Sequence, residues 1–254
     1  MNERKRRALL SPTIERLLQQ HNPSIDEGYR RVWETEAKRN ANFLRNILPD
    51  RIASRLKTPD SIVAEGHPDV SILFADIVNF THLSGELTPQ AVVEMLDGFF
   101  TPIDLLCERH SLEKIKTVGD AYMLAGGLET DPAFTHTQRV LDAAFDIITL
   151  AQQHPPVAGA PFGVRVGIAT GPIIAGVIGR KKVTYDLWGD TVNIASRMCS
   201  EAEPMQIAMD ELTYLSLSDQ IGQLTAEQVE IRGKGSMKIY RISPPSSPGS
   251  IATG

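Results

Sequence analysis

Val70-Ser71-Ile72-Leu73-Phe74-Ala75-Asp76-Ile77 is an apolar run closed by an acid, and Glu113-Lys114-Ile115-Lys116-Thr117-Val118-Gly119-Asp120 is a second strand-like run closed by another. In the first, Ile72, Leu73, Phe74, Ile77 and Val78 leave little room for a solvated face, which predicts a buried strand. An unpaired carboxylate in such a segment is costly, so Asp76 needs a partner. Asp120 follows Gly119 and precedes the apolar Ala121-Tyr122-Met123-Leu124-Ala125, which predicts a tight strand-turn-strand. Two acids at the ends of apolar strands make a donor set for Mg²⁺, which takes one or two carboxylates together with phosphate oxygens of a substrate. Either acid alone is more readily a satisfied turn or cap carboxylate.

Outward from this stretch the pattern alternates. Thr88-Pro89 opens a long helix running to about Arg109, with Val92, Val93, Leu96, Phe99, Phe100, Ile103 and Leu106 as its buried side. Strands over 112–118 and 121–126 follow, and Gly126-Gly127 ends the pair. The spacing of Val140, Ala144, Ile147, Ile148 and Ala151 predicts a helix over 137–153. Phe162–Ala169 reads as a strand with Arg165 inside it, and Lys182–Leu187 as its partner. Thr191–Ser200 is helical, and short strands near 206–209, 227–232 and 237–242 finish the fold. Strand-helix-strand-strand-helix-strand implies one α+β domain with a ferredoxin-like βαββαβ core.

Before that domain the chain changes character. Residues 1–60 hold 13 of the 26 Lys/Arg but only 8 of the 31 Asp/Glu. Ser11-Pro12 starts one helix and Asn22-Pro23 breaks it. A second helix from Asp26 to Leu48 places Trp33, Ala37, Asn40, Leu44 and Ile47 on a short heptad seam, and a short helix follows over Ile52–Leu56. The seam suits a dimerising, signal-coupling helix as well as an amphipathic helix packed on its own domain. Thr58–Asp69 reads as a polar linker. The expected organisation is an N-terminal helical coupling segment over 1–60, the α+β domain over 61–243 and a disordered Ser/Pro/Gly-rich tail over 244–254.

Bulk properties narrow the classes. A chain of 254 residues with 42% hydrophobic content can bury a sizeable core. No apolar run reaches the roughly 18 residues of a membrane span, and Met1–Arg7 leads into no signal-peptide pattern. The two cysteines, Cys107 and Cys199, lack metal or redox spacing and fit reduced thiols in the cytoplasm. A net charge of -5 argues against a nucleic-acid partner.

Three further features carry chemistry. Asn193 and Arg197 stand four apart on one helix and project from the same face. An amide beside a guanidinium suits holding a sugar and meeting charge on a phosphoryl group, although such pairs are mostly solvated helix surface. Lys116 lies in an apolar strand, where it either has a partner or reaches water from a sheet edge. Asp186, between Tyr185 and Leu187-Trp188-Gly189, is another acid in an apolar run, with a turn or cap role as its alternative.

Together these motifs resemble class III nucleotide cyclase catalytic domains, and Lys116 with Asp186 the adenylyl cyclases among them. The resemblance rests on Phe74-Ala-Asp-Ile-Val-Asn-Phe-Thr81, Glu113-Lys-Ile-Lys-Thr-Val-Gly-Asp-Ala-Tyr-Met123, Arg165-Val-Gly-Ile168, Tyr185-Asp-Leu-Trp-Gly-Asp-Thr-Val-Asn-Ile-Ala-Ser-Arg197 and Ile231-Arg-Gly-Lys-Gly235, and covers about residues 70–242 in order. It implies a head-to-tail homodimer with two active sites, each shared between the chains. By position, Asp76 and Asp120 match the family's two metal-binding aspartates, with the Ile77 carbonyl as a further ligand for two divalent ions, Mg²⁺ or Mn²⁺. Lys116 and Asp186 match the pair that reads the purine, and Asn193 and Arg197 the residues that place the ribose and stabilise the transition state. Arg165 and Arg232 match triphosphate-binding positions, helped by backbone N–H groups of the turn at Phe80 and Thr81.

Lysine can donate to adenine N1 and a carboxylate can accept from the N6 amino group, whereas guanine presents the reverse pattern. The resemblance therefore implies ATP as substrate and cyclic AMP and pyrophosphate as products. The alternatives are a guanylyl or dual-specificity cyclase and a non-catalytic dimerising regulator. Asn79 departs from the glycine common in the family, and asparagine tolerates turn conformations better than most residues. For residues 1–60 the readings stay open between coupling to an upstream sensor, an autoinhibitory cap and a membrane-surface contact.

Overall fold

The computed structural model describes Ile52 and residues 63–129, 136–179, 183–231 and 233–244. The readings for the N-terminal helices, for their heptad seam and for the tail after Pro244 lie outside the described residues. Contacts divide the chain into Met1–Val63 and Ala64–Gly254, and the second unit holds the sheet and the helices packed on it.

In chain order the elements are β1 (Val63–Ile77), α1 (Phe80–Glu86), α2 (Pro89–Arg109), β2 (Glu113–Val118), β3 (Ala121–Gly126), α3 (His136–Gln153), β4 (Val164–Ile178) and β5 (Thr184–Trp188). They continue with α4 (Asp190–Glu201), β6 (Ile207–Asp210), α5 (Glu211–Ile221), β7 (Ala226–Ile231) and β8 (Gly235–Ile242). One sheet runs β2-β3-β1-β4-β6-β8-β7, with β5 paired to β4. Its first four strands, with α2 and α3, are the expected βαββαβ core, and β6, β8 and β7 widen it. No helix among the described residues is long and apolar enough to cross a membrane.

Strand periodicity separates the two faces of the sheet. Leu73, Ala75 and Ile77 of β1, Tyr122 and Leu124 of β3, and Val164, Val166 and Ile168 of β4 all join the core beneath α2 and α3. The alternate residues Asp76, Met123, Arg165 and Gly167 therefore face the other way, towards α4. That side has a tight constraint: a Cβ on Gly167 would stand 1.9 Å from the backbone nitrogen of Cys199, so only glycine lets α4 lie directly on β4.

Helix α2 starts as its sequence demands, with the Thr88 hydroxyl accepting from the Ala91 N–H at 3.3 Å and Pro89 in the first turn. Its buried side differs from the expected one. Met95 is buried and Val93 is 64% exposed, because the stripe facing the sheet runs through Met95, Phe99, Ile103 and Leu106. The polar stretch expected as a linker is in part strand, since β1 begins at Val63. It alternates exposed and half-buried residues, and Pro68 sits within it, so no hydrophobic run marks it. Strand β4 likewise continues past Ala169 through Gly171-Pro172, pairing parallel with β6 over Val166–Ile168 and antiparallel with β5 over Ile174–Ile178.

Candidate active site

The two acids meet because of strand register. Asp76 of β1 lies opposite Ala121 of β3, so the Gly119-Asp120 turn that precedes Ala121 abuts the Asp76 carboxylate. Gly119 takes φ +63°, the left-handed conformation that lets β2 and β3 join through two residues. Burial, and then the negative charge of Asp76, push the Asp120 carboxyl above its ordinary range. β4 neighbours β1 in the sheet, and from it Arg165 reaches across, its Nη2 donating to Asp76 Oδ2 at 2.6 Å. The Val78 N–H donates to Gly163 O at 2.9 Å and ties the end of β1 to the start of β4.

These groups open on a cavity of about 630 Å³ lined by Asp76, Ile77, Asn79, Phe80, Thr81, His82, Asp120 and Arg165. Three of its walls come from the start of α1. The chain turns there because Asn79 takes φ 56°, ψ 28°, and its carbonyl accepts from the His82 and Leu83 N–H groups at 3.0 Å each. Asparagine is among the few residues that hold this left-handed geometry at small cost, so the departure from glycine leaves the turn intact. Arg165 Nε is buried without a hydrogen-bond partner. The donor set fits divalent cations: two neighbouring carboxylates, one of them raised by burial and then by the charge of the other, with Ile77 lining the same cavity. A second cavity of about 400 Å³, lined by Asp69, Thr170, Pro172, Leu212 and Leu215 among others, presents one carboxylate and mostly apolar walls.

Lys116 and Asp186 form a second constellation. The Lys116 Nζ donates to Asp186 Oδ2 at 2.5 Å, across 70 residues of sequence. The other carboxylate oxygen accepts from the Leu187 N–H at 2.8 Å, which fixes the acid. Both sequence alternatives for Lys116 hold at once, because β2 is the edge strand of the sheet and the ammonium has its partner on β5.

Asn193 and Arg197 are exposed on α4 and are not among the residues lining the acid cavity. Their helix is pinned at its start, where the Thr191 hydroxyl donates to Pro172 O at 2.8 Å and Asp190 pairs with Lys234 of the β7–β8 turn. Arg232 lies outside the described residues. Sequence reading missed His82, which lines the cavity from α1, because seven residues of helix give too short a period to recognise.

Comparison with known proteins gives this arrangement its family. The family described as adenylate and guanylate cyclase catalytic domain matches residues 62–244. An adenylate cyclase of Mycobacterium bovis is 40% identical over 212 residues, which make up 83% of this chain and 48% of that protein. The guanylate cyclase soluble subunit beta-2 of Rattus norvegicus is 36% identical over 207 residues, 81% of this chain and 30% of that protein. The chain thus spans about half of these curated relatives, or less. Among solved structures, the guanylate cyclase domain of RhGC from Catenaria anguillulae in complex with GTP is similar at a TM-score of 0.62 and 30% identity, covering 72% of this chain and 100% of that one. By family and fold alike, the chain belongs to the adenylate and guanylate cyclase catalytic domains, the class III nucleotide cyclases.

Proposed function

We propose that the protein is an adenylate cyclase that converts ATP to 3′,5′-cyclic AMP and pyrophosphate. The observation that carries this reading is the Lys116–Asp186 pair, joined at 2.5 Å on the α4 side of the sheet. An ammonium donor beside a carboxylate acceptor matches the N1 acceptor and N6 amino donor of adenine. It mismatches guanine, whose N1–H and O6 would face a donor and an acceptor of the wrong kind. The resemblance to guanylate cyclases favours one competing reading, GTP as substrate, and the base pair of residues is where the two part.

In the reaction the ribose 3′-oxygen bonds to the α-phosphorus, the bond from that phosphorus to the oxygen bridging to the β-phosphate breaks, and pyrophosphate leaves. The 3′-hydroxyl proton is released. Asp76, Asp120 and the Ile77 carbonyl would hold divalent ions, Mg²⁺ or Mn²⁺, which supply charge neutralisation for the triphosphate and acidify the hydroxyl. Arg165, whose Nε lacks a partner in the chain, and Arg232 receive the triphosphate together with N–H groups at Phe80 and Thr81. Asn193 orients the ribose, and Arg197 meets the charge that develops at the α-phosphate.

Asn193 and Arg197 are exposed on α4 and do not line the acid cavity, which supports a site completed by a second copy in a head-to-tail homodimer. Incubating the purified chain with ATP or GTP and either ion, then separating the nucleotides by chromatography, tests the substrate. Cyclic AMP from ATP is expected, and cyclic GMP as the main product would refute the base assignment. Mixing the Asp76→Ala and Asn193→Ala chains should restore activity through heterodimers. Proven heterodimers without activity would rule out the shared site.

A further inference from the structure

β2 carries Lys114 and Lys116, which in a regular strand would project to the same face. They do not. Lys114 lies opposite Leu124 and Lys116 opposite Met123, so the strand spends one residue more than β3 between them. The surplus residue is Ile115, and the shift is a β-bulge. Residues directly opposed in an antiparallel pair share a face. Leu124 belongs to the core under α2 and α3, so Lys114 faces the helices and Lys116 faces the side of α4 and β5.

The helix-side lysine is held at several points. Its Nζ donates to Asp104 Oδ1 at 2.7 Å and Oδ2 at 2.8 Å, and stands 5.1 Å from the centroid of the Tyr122 ring. The Tyr122 hydroxyl, fully buried, donates to the same Asp104 Oδ1 at 2.5 Å. Burial pushes the Tyr122 phenol far above its ordinary range, so it stays the donor. Asp104, on α2, thereby grips both strands of the hairpin close to the bulge.

A bulge can be taken up at another position along its strand, and every side chain between the old and the new position then changes face. We propose that Asp104 and Lys114 are positioning residues: their ion pair fixes the bulge at Ile115, and the bulge aims Lys116 at Asp186. This inference rests on the reading of Lys116 and Asp186 as the base-selecting pair.

The test uses the full chain with ¹⁵N-labelled lysine. An ammonium held by a carboxylate gives a slowly exchanging resonance, assigned to Lys116 by its loss in Lys116→Arg and its change in Asp186→Asn. In Lys114→Met, and in Asp104→Asn, which keeps an acceptor for Tyr122, that resonance should change as it does in Asp186→Asn. The preference for ATP over GTP in kcat/KM should fall about tenfold, the size typical when an outer residue that orients a ligand-binding group is lost. Lys114→Arg should restore both. A Lys116 resonance unchanged in both variants would overturn the proposal, as would equal losses with ATP and GTP. A wild-type chain that turns over neither nucleotide would sink the cyclase reading instead, and the resonance alone would still decide the role of the bulge.

Discussion

Asp76 and Asp210 both close a strand of the same sheet, yet the chain uses them in opposite ways. Asp210 is 5% exposed and leads directly into α5, whose Thr213 N–H donates to its Oδ1 at 3.0 Å. The Thr170 N–H donates to the same oxygen at 3.4 Å. Backbone amides satisfy this acid, and it lines neither cavity. After Asp76, by contrast, the left-handed Asn79 turns the chain before α1 begins, so the acid faces Asp120, Arg165 and open space. The backbone just beyond a strand-end acid decides its use: a helix starting at once makes it a cap, and an intervening turn leaves it free to hold something else.

Substitutions at the two acids should therefore separate activity from stability. Asp120→Ala is expected to lower the rate of nucleotide cyclisation by about 10²–10³-fold, the scale of losing transition-state charge stabilisation. It should leave the denaturation midpoint unchanged or slightly raised, because removing one of two facing carboxylates relieves repulsion. A marked loss of stability would make Asp120 a structural acid like Asp210.

Asp210→Ala should do the reverse. Losing the cap costs about 1–2 kcal/mol in urea unfolding, with kcat kept within about twofold of wild type. A large fall in kcat without loss of stability would mean that the α5 end of the sheet takes part in the reaction.

Asp210→Asn sharpens the contrast through pH. Burial pushes the Asp210 carboxyl above its ordinary value of 3.8 in the folded chain, so folding favours the protonated form. Its contribution to stability is present below the unfolded value and is lost as pH rises through the folded one. The wild-type stability minus that of the Asp210→Asn variant should accordingly decline as pH rises above about 4. A difference that is flat or rises over that range would show that the amide donors outweigh the burial.

The same physics sets how much of the molecule was legible in the chain. Continuous apolar runs declared the second half of β1, β3 and the first half of β4, and Thr88-Pro89 declared α2. Helix α5 went unread because it inverts the usual stripe: Thr213 is fully buried while Leu212 and Leu215 are 56% and 59% exposed. Asp76, Lys116, Arg165 and Asp186 stood out as charges inside apolar segments. Their partners did not, since Lys116 finds Asp186 only through the fold of β5 against β2, and the bulge between Lys114 and Lys116 carries no glycine or proline to announce it.

The smallest expected effect lies at the turn that sets Asp76 apart. At φ 56° a side chain with a Cβ carries a penalty of about 1–2 kcal/mol, which asparagine largely escapes. Asn79→Ala should cost about 1 kcal/mol in urea unfolding. Asn79→Gly removes the small part of that penalty asparagine still carries and loses some chain entropy on folding, so it should stay within about 0.5 kcal/mol of wild type. Activity separates the two further, because Asn79 lines the cavity and its carbonyl starts α1. Glycine keeps both backbone features and should keep KM for ATP, whereas alanine pulls the turn towards ordinary dihedrals and should raise it. Equal KM values for the two variants would mean that Asp76 stays open by the pairing of β1 with β3 alone, without help from the turn.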